Sequence, residues 1–341
     1  VNRTAPPKPK PAPLQPMGDI LDSGVAVGQL EDLYVRLALY GRNGIGKTTL
    51  ACQGKKPLAL IAIDPAPTGG ARSVMQMDGI TVYRIAGRPL MDPKTKQTEK
   101  LWGSQKALAV AESLHNRFAK GQRPFETVVI DGITAWNAVI LQEILGVSPN
   151  DMPAILQFGS IGQDQYRERA ERIIRYNRPF LDLPCDVTII AQERDHNPPK
   201  DENNRVMGSK LLRDADVNGA YMQSGSFFSL DVGDTPARWF QDNCDFVGQM
   251  YQDMEYKEHT TPPMKGPDGA LMPAQTSMIP TGKRVRRLRT TYHPNYAARV
   301  RGDYKVIPEY IQAETPEEMY AALMQVVKGE RTLLGHYPKK K

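Results

Sequence analysis

Residues Gly41 to Thr49 read GRNGIGKTT, between an apolar run, YVRLALY (34–40), and a segment with helical character, TTLACQG (48–54). That order decides the fold, because a GxxxxGK[ST] spacing functions where a buried strand delivers a glycine-rich turn to the start of a helix. Gly41, Gly46, Lys47 and Thr48 hold the defining positions. Arg42, Asn43, Gly44 and Ile45 fill the loop, and Thr49 follows it. Glycines let successive backbone N–H groups curl around phosphate oxygens, Lys47 is placed to reach the β- and γ-phosphates, and the Thr48 hydroxyl suits a Mg²⁺ position. The magnesium shell needs a second acidic ligand at the end of a neighbouring strand. TVVID, ending at Asp131, supplies the candidate. No NKxD guanine-reading motif occurs, so ATP with Mg²⁺ is the expected ligand rather than GTP.

Outward from this loop, short β-rich runs alternate with helical stretches: PLALIAID (57–64), ITVYRI (80–85), ETVVID (126–131) and DVTIIAQ (186–192) are the strands. Near-continuous apolar runs of this kind suit parallel strands buried on both faces. LWGSQKALAVAESLHNRFA (101–119) and DQYRERAERIIRYN (164–177) have helical spacing, the second with Tyr166, Ala170, Ile173 and Ile174 on one face. The expected architecture is an α/β, mostly parallel, doubly wound sheet with helices on both faces, followed by a C-terminal β-hairpin and helix. Residues 1–17, rich in Pro and Lys, form the expected disordered arm. Residues 18–313 form the core, with a hairpin insertion around 255–282 between FVGQMYQDMEY and KRVRRLRTTY. Residues 314–341 form a helix and basic tail, the helix launched by the capping box Thr315-Pro316-Glu317-Glu318.

Composition narrows the class. Cys52, Cys185 and Cys244 are widely spaced and odd in number, without CxxC or Cys/His spacing, which argues against a disulfide framework or a zinc site. The apolar runs are far shorter than the ~20 residues a membrane span requires, and no charged-then-apolar segment opens the sequence, so a cytoplasmic protein is expected. The net charge of +6 is modest. Its distribution is not: Lys283, Arg284, Arg286, Arg287, Arg289, Arg299 and Arg301 fall in one stretch free of Asp and Glu, pointing to a polyanionic partner.

GRNGIGKTTLA, IAIDPAPTGG, VVIDGITAW, DVTIIAQER and, after a long polar stretch, GSKLLRD resemble in their order the phage-encoded RecA-like P-loop ATPases of the single-strand annealing recombinase type. The resemblance runs from about Tyr34 to about Ile311. It implies a RecA-like core, single-stranded DNA as partner, ATP turnover and annealing or strand exchange by a homo-oligomer, a ring or filament. A bacterial host cytoplasm and a single-strand DNA-binding protein as a further partner follow from the same likeness. It also implies that Gln192 senses the γ-phosphate and opens a DNA-contacting loop over 193–210, where Lys200, Arg205 and Lys210 could meet phosphates. A solvated loop balanced by Asp195, Asp201 and Glu202 is the alternative.

Around 146–165, where the resemblance places a first DNA loop, Phe158 could stack on a base or anchor the loop. Arg299 and Arg301, two apart on one side of a strand, become candidates for fingers acting on a neighbouring subunit's nucleotide. The competing reading joins them to a basic DNA-binding surface with Arg284, Arg286, Arg287 and Arg289. One departure concerns catalysis: Ala66 stands where the family carries a water-activating Glu, leaving Asp64 or Glu193 as candidates. The arginines at 167, 169, 172 and 175 read as a solvated helix face, since Glu168 with Arg172 and Glu171 with Arg175 form i,i+4 pairs. Alternative functions are another RecA-like DNA motor, a helicase or packaging ATPase, or a nucleotide-switched interaction protein with little catalysis.

Overall fold

A computed structural model describes residues 34–63, 70–89, 98, 100–147, 162–195, 228–261, 263–265, 271–272, 275–291, 296–301 and 307–337. Backbone contacts group Val35–Lys341 as one unit. Its centre is a run of six parallel strands built from the apolar segments of the sequence. They are β1 (Arg36–Gly41), β2 (Leu58–Ile63), β3 (Ile80–Ile85), β4 (Thr127–Asp131), β5 (Asp186–Asp195) and β7 (Phe246–Thr261). In space they run β7-β1-β5-β4-β2-β3. Beyond β7 the sheet continues antiparallel through β10 (Gln275–Arg289), β12 (Tyr310–Gln312) and β13 (Gly335–His336). Two short strands, β6 (Phe228–Leu230) and β11 (Arg299–Val300), pair antiparallel with β5 and β7. The outer part of the β7–β10 ribbon carries a further two-stranded pair, β8 (Met264–Lys265) and β9 (Leu271–Met272).

Strand alternation divides the core into two layers. From β1, Ala38 and Tyr40 face one side and Leu37 and Leu39 the other; all four are at most 2% exposed. On the first side pack α2 (Gly103–Ala119), α3 (Ile133–Leu145), α4 (Gln163–Leu181) and α5 (Asp234–Asn243), through residues such as Ala107, Trp136, Ile173 and Phe240. Trp136 is buried there against Tyr176 and Phe180 and donates its indole N–H to Ser104 Oγ at 3.0 Å, so this large ring leaves no polar atom unsatisfied. On the second side lie α1 (Lys47–Ala51) and α6 (Pro316–Val327), with Leu50 and Ala51 in the same cluster as Met319, Leu323 and Val326. The expected helices on both faces are present.

One expectation changes in detail. The helix containing 164–177 runs on through Pro179 to Leu181, and its buried stripe is Ile173, Asn177 and Phe180, while Tyr166 is 42% exposed. The C-terminal helix begins at the expected capping box: Glu318 N–H donates to Thr315 Oγ1 at 3.2 Å and Thr315 N–H to Glu318 Oε2 at 3.3 Å. Its apolar face packs in the same core cluster as α1. The arm and the basic tail end fall outside the described residues. Among the described residues no helix is long and apolar enough to cross a membrane.

The base of β1 is fixed from several directions. Val35 N–H donates to Asp186 Oδ1 at 2.9 Å and Arg36 N–H to Asp245 Oδ2 at 2.8 Å. The Arg36 guanidinium donates to the carbonyls of Leu181, Leu183 and Cys185. A strand held so firmly at its start delivers its end, Gly41, to one place in the fold.

Candidate nucleotide site

Gly41 closes β1 between two neighbours. It pairs in register with Gln192 of β5 on one side, while β7 lies on the other. Its φ is 152°, and a Cβ there would lie 2.2 Å from the carbonyl oxygen of Met250, so no side chain fits where the loop leaves the sheet. At Gly44 a Cβ would meet nothing within 4 Å, so the loop's outer curve borders open space. Lys47 lies beneath this curve, 8% exposed. Its Nζ donates to the carbonyls of Gly41 at 2.8 Å and Arg42 at 2.7 Å. Burial lowers the Lys47 pKa to about 8, against the pull of Asp131 and then Glu193, which favour the charged form.

Asp131 ends β4, two strands from β1, and its Oδ2 accepts a hydrogen bond from Thr48 Oγ1 at 2.7 Å. Two hard oxygen donors are thereby brought together beside the loop, a fit to Mg²⁺, which binds through one or two protein oxygens with phosphate and water completing its shell. Gln192 stands beside the loop through its pairing with Gly41, and its N–H donates to Thr134 Oγ1 at 3.0 Å. Glu193 follows with a carboxylate only 8% exposed, accepting from Gln249 Nε2 at 2.6 Å and lying 3.6 Å from Arg42 Nε. Gln249 in turn accepts from Arg289 Nε at 3.4 Å. Below this network the Tyr40 phenol is held neutral, its pKa raised first by burial and then by Glu193.

Gln249 carried no motif. It becomes part of the site only because β7 pairs with β1 and places Gln249 beside Tyr40, 56 residues from Glu193 in sequence. Asp64, Ala66, Phe158, Lys200, Arg205 and Lys210 lie outside the described residues.

The basic residues assigned to DNA separate when the sheet is built. Arg287 donates to Gln312 Oε1 at 2.8 Å, pairs with Asp253 and sits 4.5 Å from the Tyr310 ring centre. Arg289 lies over the rings of Tyr251 at 4.9 Å and Tyr296 at 4.6 Å. Both guanidinium groups are thus occupied within the protein, whereas Arg284 and Arg286 are exposed.

Only Arg299 lies in the strand β11, which ends at Val300, yet Arg299 and Arg301 turn to the same place: Arg299 Nη1 donates to Gln241 O at 3.3 Å and Asp242 Oδ1 at 3.2 Å, and Arg301 donates to Asp242 O. These contacts satisfy carbonyls at the C-terminal end of α5, where cations are favoured. Arg299 pairs with Val247, near the start of β7, so both stand toward the opposite end of the sheet from Gly41. Their guanidinium groups turn to the end of α5 rather than to their own chain's loop.

The expected solvated face of α4 is partly seen in the Arg172–Glu168 pair and in Arg167, whose Nη2 donates to Asp164 Oδ1 at 3.1 Å. The three thiols are buried, and burial pushes each up to about 12, so none supplies a thiolate at neutral pH.

A protein-family model described as an AAA domain matches residues 33–301, most of the chain. No curated protein matches it.

Proposed function

The chain belongs to the AAA domain family of P-loop ATPases, and from that premise we propose that it is an ATP-dependent, single-stranded DNA-binding recombinase or annealing protein of RecA-like type that works as a homo-oligomer. The observation that carries this reading is the place of β5. That strand lies between β1 and β4, so Gln192 is paired directly with Gly41 at the phosphate loop. β5 pairs with β6 just beyond that point, Glu193 with Leu230 and Asp195 with Phe228, and the polar stretch with Lys200, Arg205 and Lys210 lies between these two strands in sequence. A strand with one residue beside the phosphate loop and a polar stretch carrying Lys200, Arg205 and Lys210 a few residues later can link phosphate state to polyanion binding.

In this reading Lys47 and the loop's N–H groups bind and orient ATP, while Thr48 and Asp131 hold Mg²⁺. Bound Mg²⁺ supplies neutralisation of the charge on the β- and γ-phosphates. Gln192 reports the γ-phosphate. Glu193 is the candidate to take a proton from attacking water, and its engagement with Gln249 and Arg42 favours slow turnover. That same engagement favours a second reading, in which nucleotide binding switches assembly and hydrolysis only resets it. The arginine-finger role for Arg299 and Arg301 forms no part of the proposal, since it would require both to leave α5.

ATP hydrolysis by the full chain, measured with and without single-stranded DNA, tests the leading reading. Stimulation by DNA that disappears in Lys47→Ala supports it; a rate unaffected by DNA overturns it. Annealing that persists with a non-hydrolysable ATP analogue would favour the switch.

A further inference from the structure

The arginines of β10 face two ways. Odd-numbered Val285, Arg287 and Arg289 share one face, where the two arginines meet Asp253, Gln312, Gln249 and tyrosine rings. Even-numbered Arg284, Arg286 and Leu288 share the other. Leu288 is fully buried opposite Met250, in the cluster that contains Ile45 and Leu50 around the phosphate loop. Arg286, opposite Gln252, is one pleat repeat further along that face. Its side chain turns to the loop rather than outward along the ribbon. A Cβ built on Gly46 would lie 3.6 Å from Arg286 Nη1 and 3.7 Å from its Cζ, with Met250 Cε also at 3.7 Å. Gly46 directly precedes Lys47. Arg286 is exposed, and among the described residues its guanidinium has no hydrogen bond or ion pair.

Resting on the reading of this loop as a nucleotide site, we propose that Arg286 binds the phosphate chain of the nucleotide held by its own subunit, rather than DNA. Lys47 serves the loop from below, and Arg42 is drawn to Glu193. Arg286 adds a cation from the β7–β10 side, away from Asp131 and Gln192. Its planar fork of donors suits two phosphate oxygens at once, which a single ammonium cannot match. At Gly46 the backbone has φ of 100°, and the missing side chain leaves this approach clear. The β7–β10 ribbon would then register directly whether phosphate is present, through a residue on its own strand.

The test measures binding of a fluorescent ATP analogue with Mg²⁺ to the full chain, without DNA, in wild type, Arg286→Ala, Arg286→Lys, Lys47→Ala and Lys283→Ala. Lys283 is an exposed cation on the same strand, paired with Glu314, and serves as the charge control. The expected result is a loss of affinity of about tenfold or more in Arg286→Ala, partial recovery in Arg286→Lys, and no change in Lys283→Ala. Unchanged thermal unfolding in Arg286→Ala accompanies that result, since the side chain is exposed. Wild-type affinity in Arg286→Ala alongside loss in Lys47→Ala overturns the inference and leaves the nucleotide site standing. Equal losses in Lys283→Ala and Arg286→Ala reduce the effect to general surface charge and also overturn it. Wild-type affinity in Lys47→Ala removes the nucleotide-site reading itself.

Discussion

Raising the pH through the range in which Lys47 loses its proton probes the nucleotide site without changing a residue. Burial lowers this ammonium to about 8 from the ordinary 10.5. Between those values the folded, nucleotide-free chain holds fewer protons at Lys47 than the unfolded chain. The Lys47 contribution to stability therefore rises with pH across that window, while below it the cost of burying the charge is fully present. A polyphosphate seated in the loop reverses the local preference by favouring the charged form, so binding draws a proton onto Lys47.

If the bound form stays protonated, uptake is about half a proton at about pH 8 and about 0.9 at about pH 9, and affinity falls roughly tenfold between about pH 7 and about pH 9. Calorimetric titration with a non-hydrolysable ATP analogue and Mg²⁺, in buffers of different ionisation enthalpy, counts these protons directly. Lys47→Arg, whose guanidinium does not titrate in this range, should bind more weakly and take up none. Affinity independent of pH, or the same uptake in Lys47→Arg, would refute the reasoning.

Asp131→Asn retains an oxygen that can accept from Thr48, so the fold should persist while ATP hydrolysis drops by about a hundredfold or more. Mg²⁺ should also cease to strengthen nucleotide binding, which a magnesium titration checks. Gly41→Ala sets a methyl group 2.2 Å from the Met250 carbonyl, and denaturant unfolding should show a loss of at least about 3 kcal/mol. Thr315→Ala removes the cap of α6, for which thermal unfolding should report about 1 kcal/mol with nucleotide binding unaffected.

The features legible in the sequence are those set by neighbours along the chain. Gly41 to Thr49 and the apolar runs of β1 to β5 declare themselves through spacing and period, and the cap at Thr315 through four consecutive residues. The helix Asp234–Asn243 is short and follows a break in the strand–helix alternation, so Asp234 and Pro236 in its first turn are its main start signal in the sequence. Other features depend on which strands meet. Gln249 has a role only because β7 lies beside β1. The arginines from 284 to 289 look like one basic patch in sequence, yet alternation sends Arg287 and Arg289 to one face and Arg284 and Arg286 to the other. Arg299 and Arg301 stand two apart, but the strand ends at Val300, and the carbonyls they meet belong to a helix nearly 60 residues away in sequence. Local periodicity says which way a charge turns relative to its neighbours; only long-range pairing says what it turns toward.

This distinction bears on how the two sides of β1 communicate. Glu193 leaves β5 on one side and Gln249 leaves β7 on the other, and their hydrogen bond spans the strand that carries the phosphate loop. Gln249 continues the connection to Arg289 on β10. A displacement of β5 by a polyanion bound beyond Asp195 would therefore alter the carboxylate beside Lys47 and the hairpin strand that carries Arg286 together. A hydrogen bond to a charged group contributes about 1.5–3 kcal/mol, which limits coupling through this single link to about ten- to a hundredfold in affinity. If the chain assembles and binds DNA as proposed, that range is ample for nucleotide to bias either. It is far short of an all-or-none switch, so a larger response would need the interface between subunits to supply the remainder.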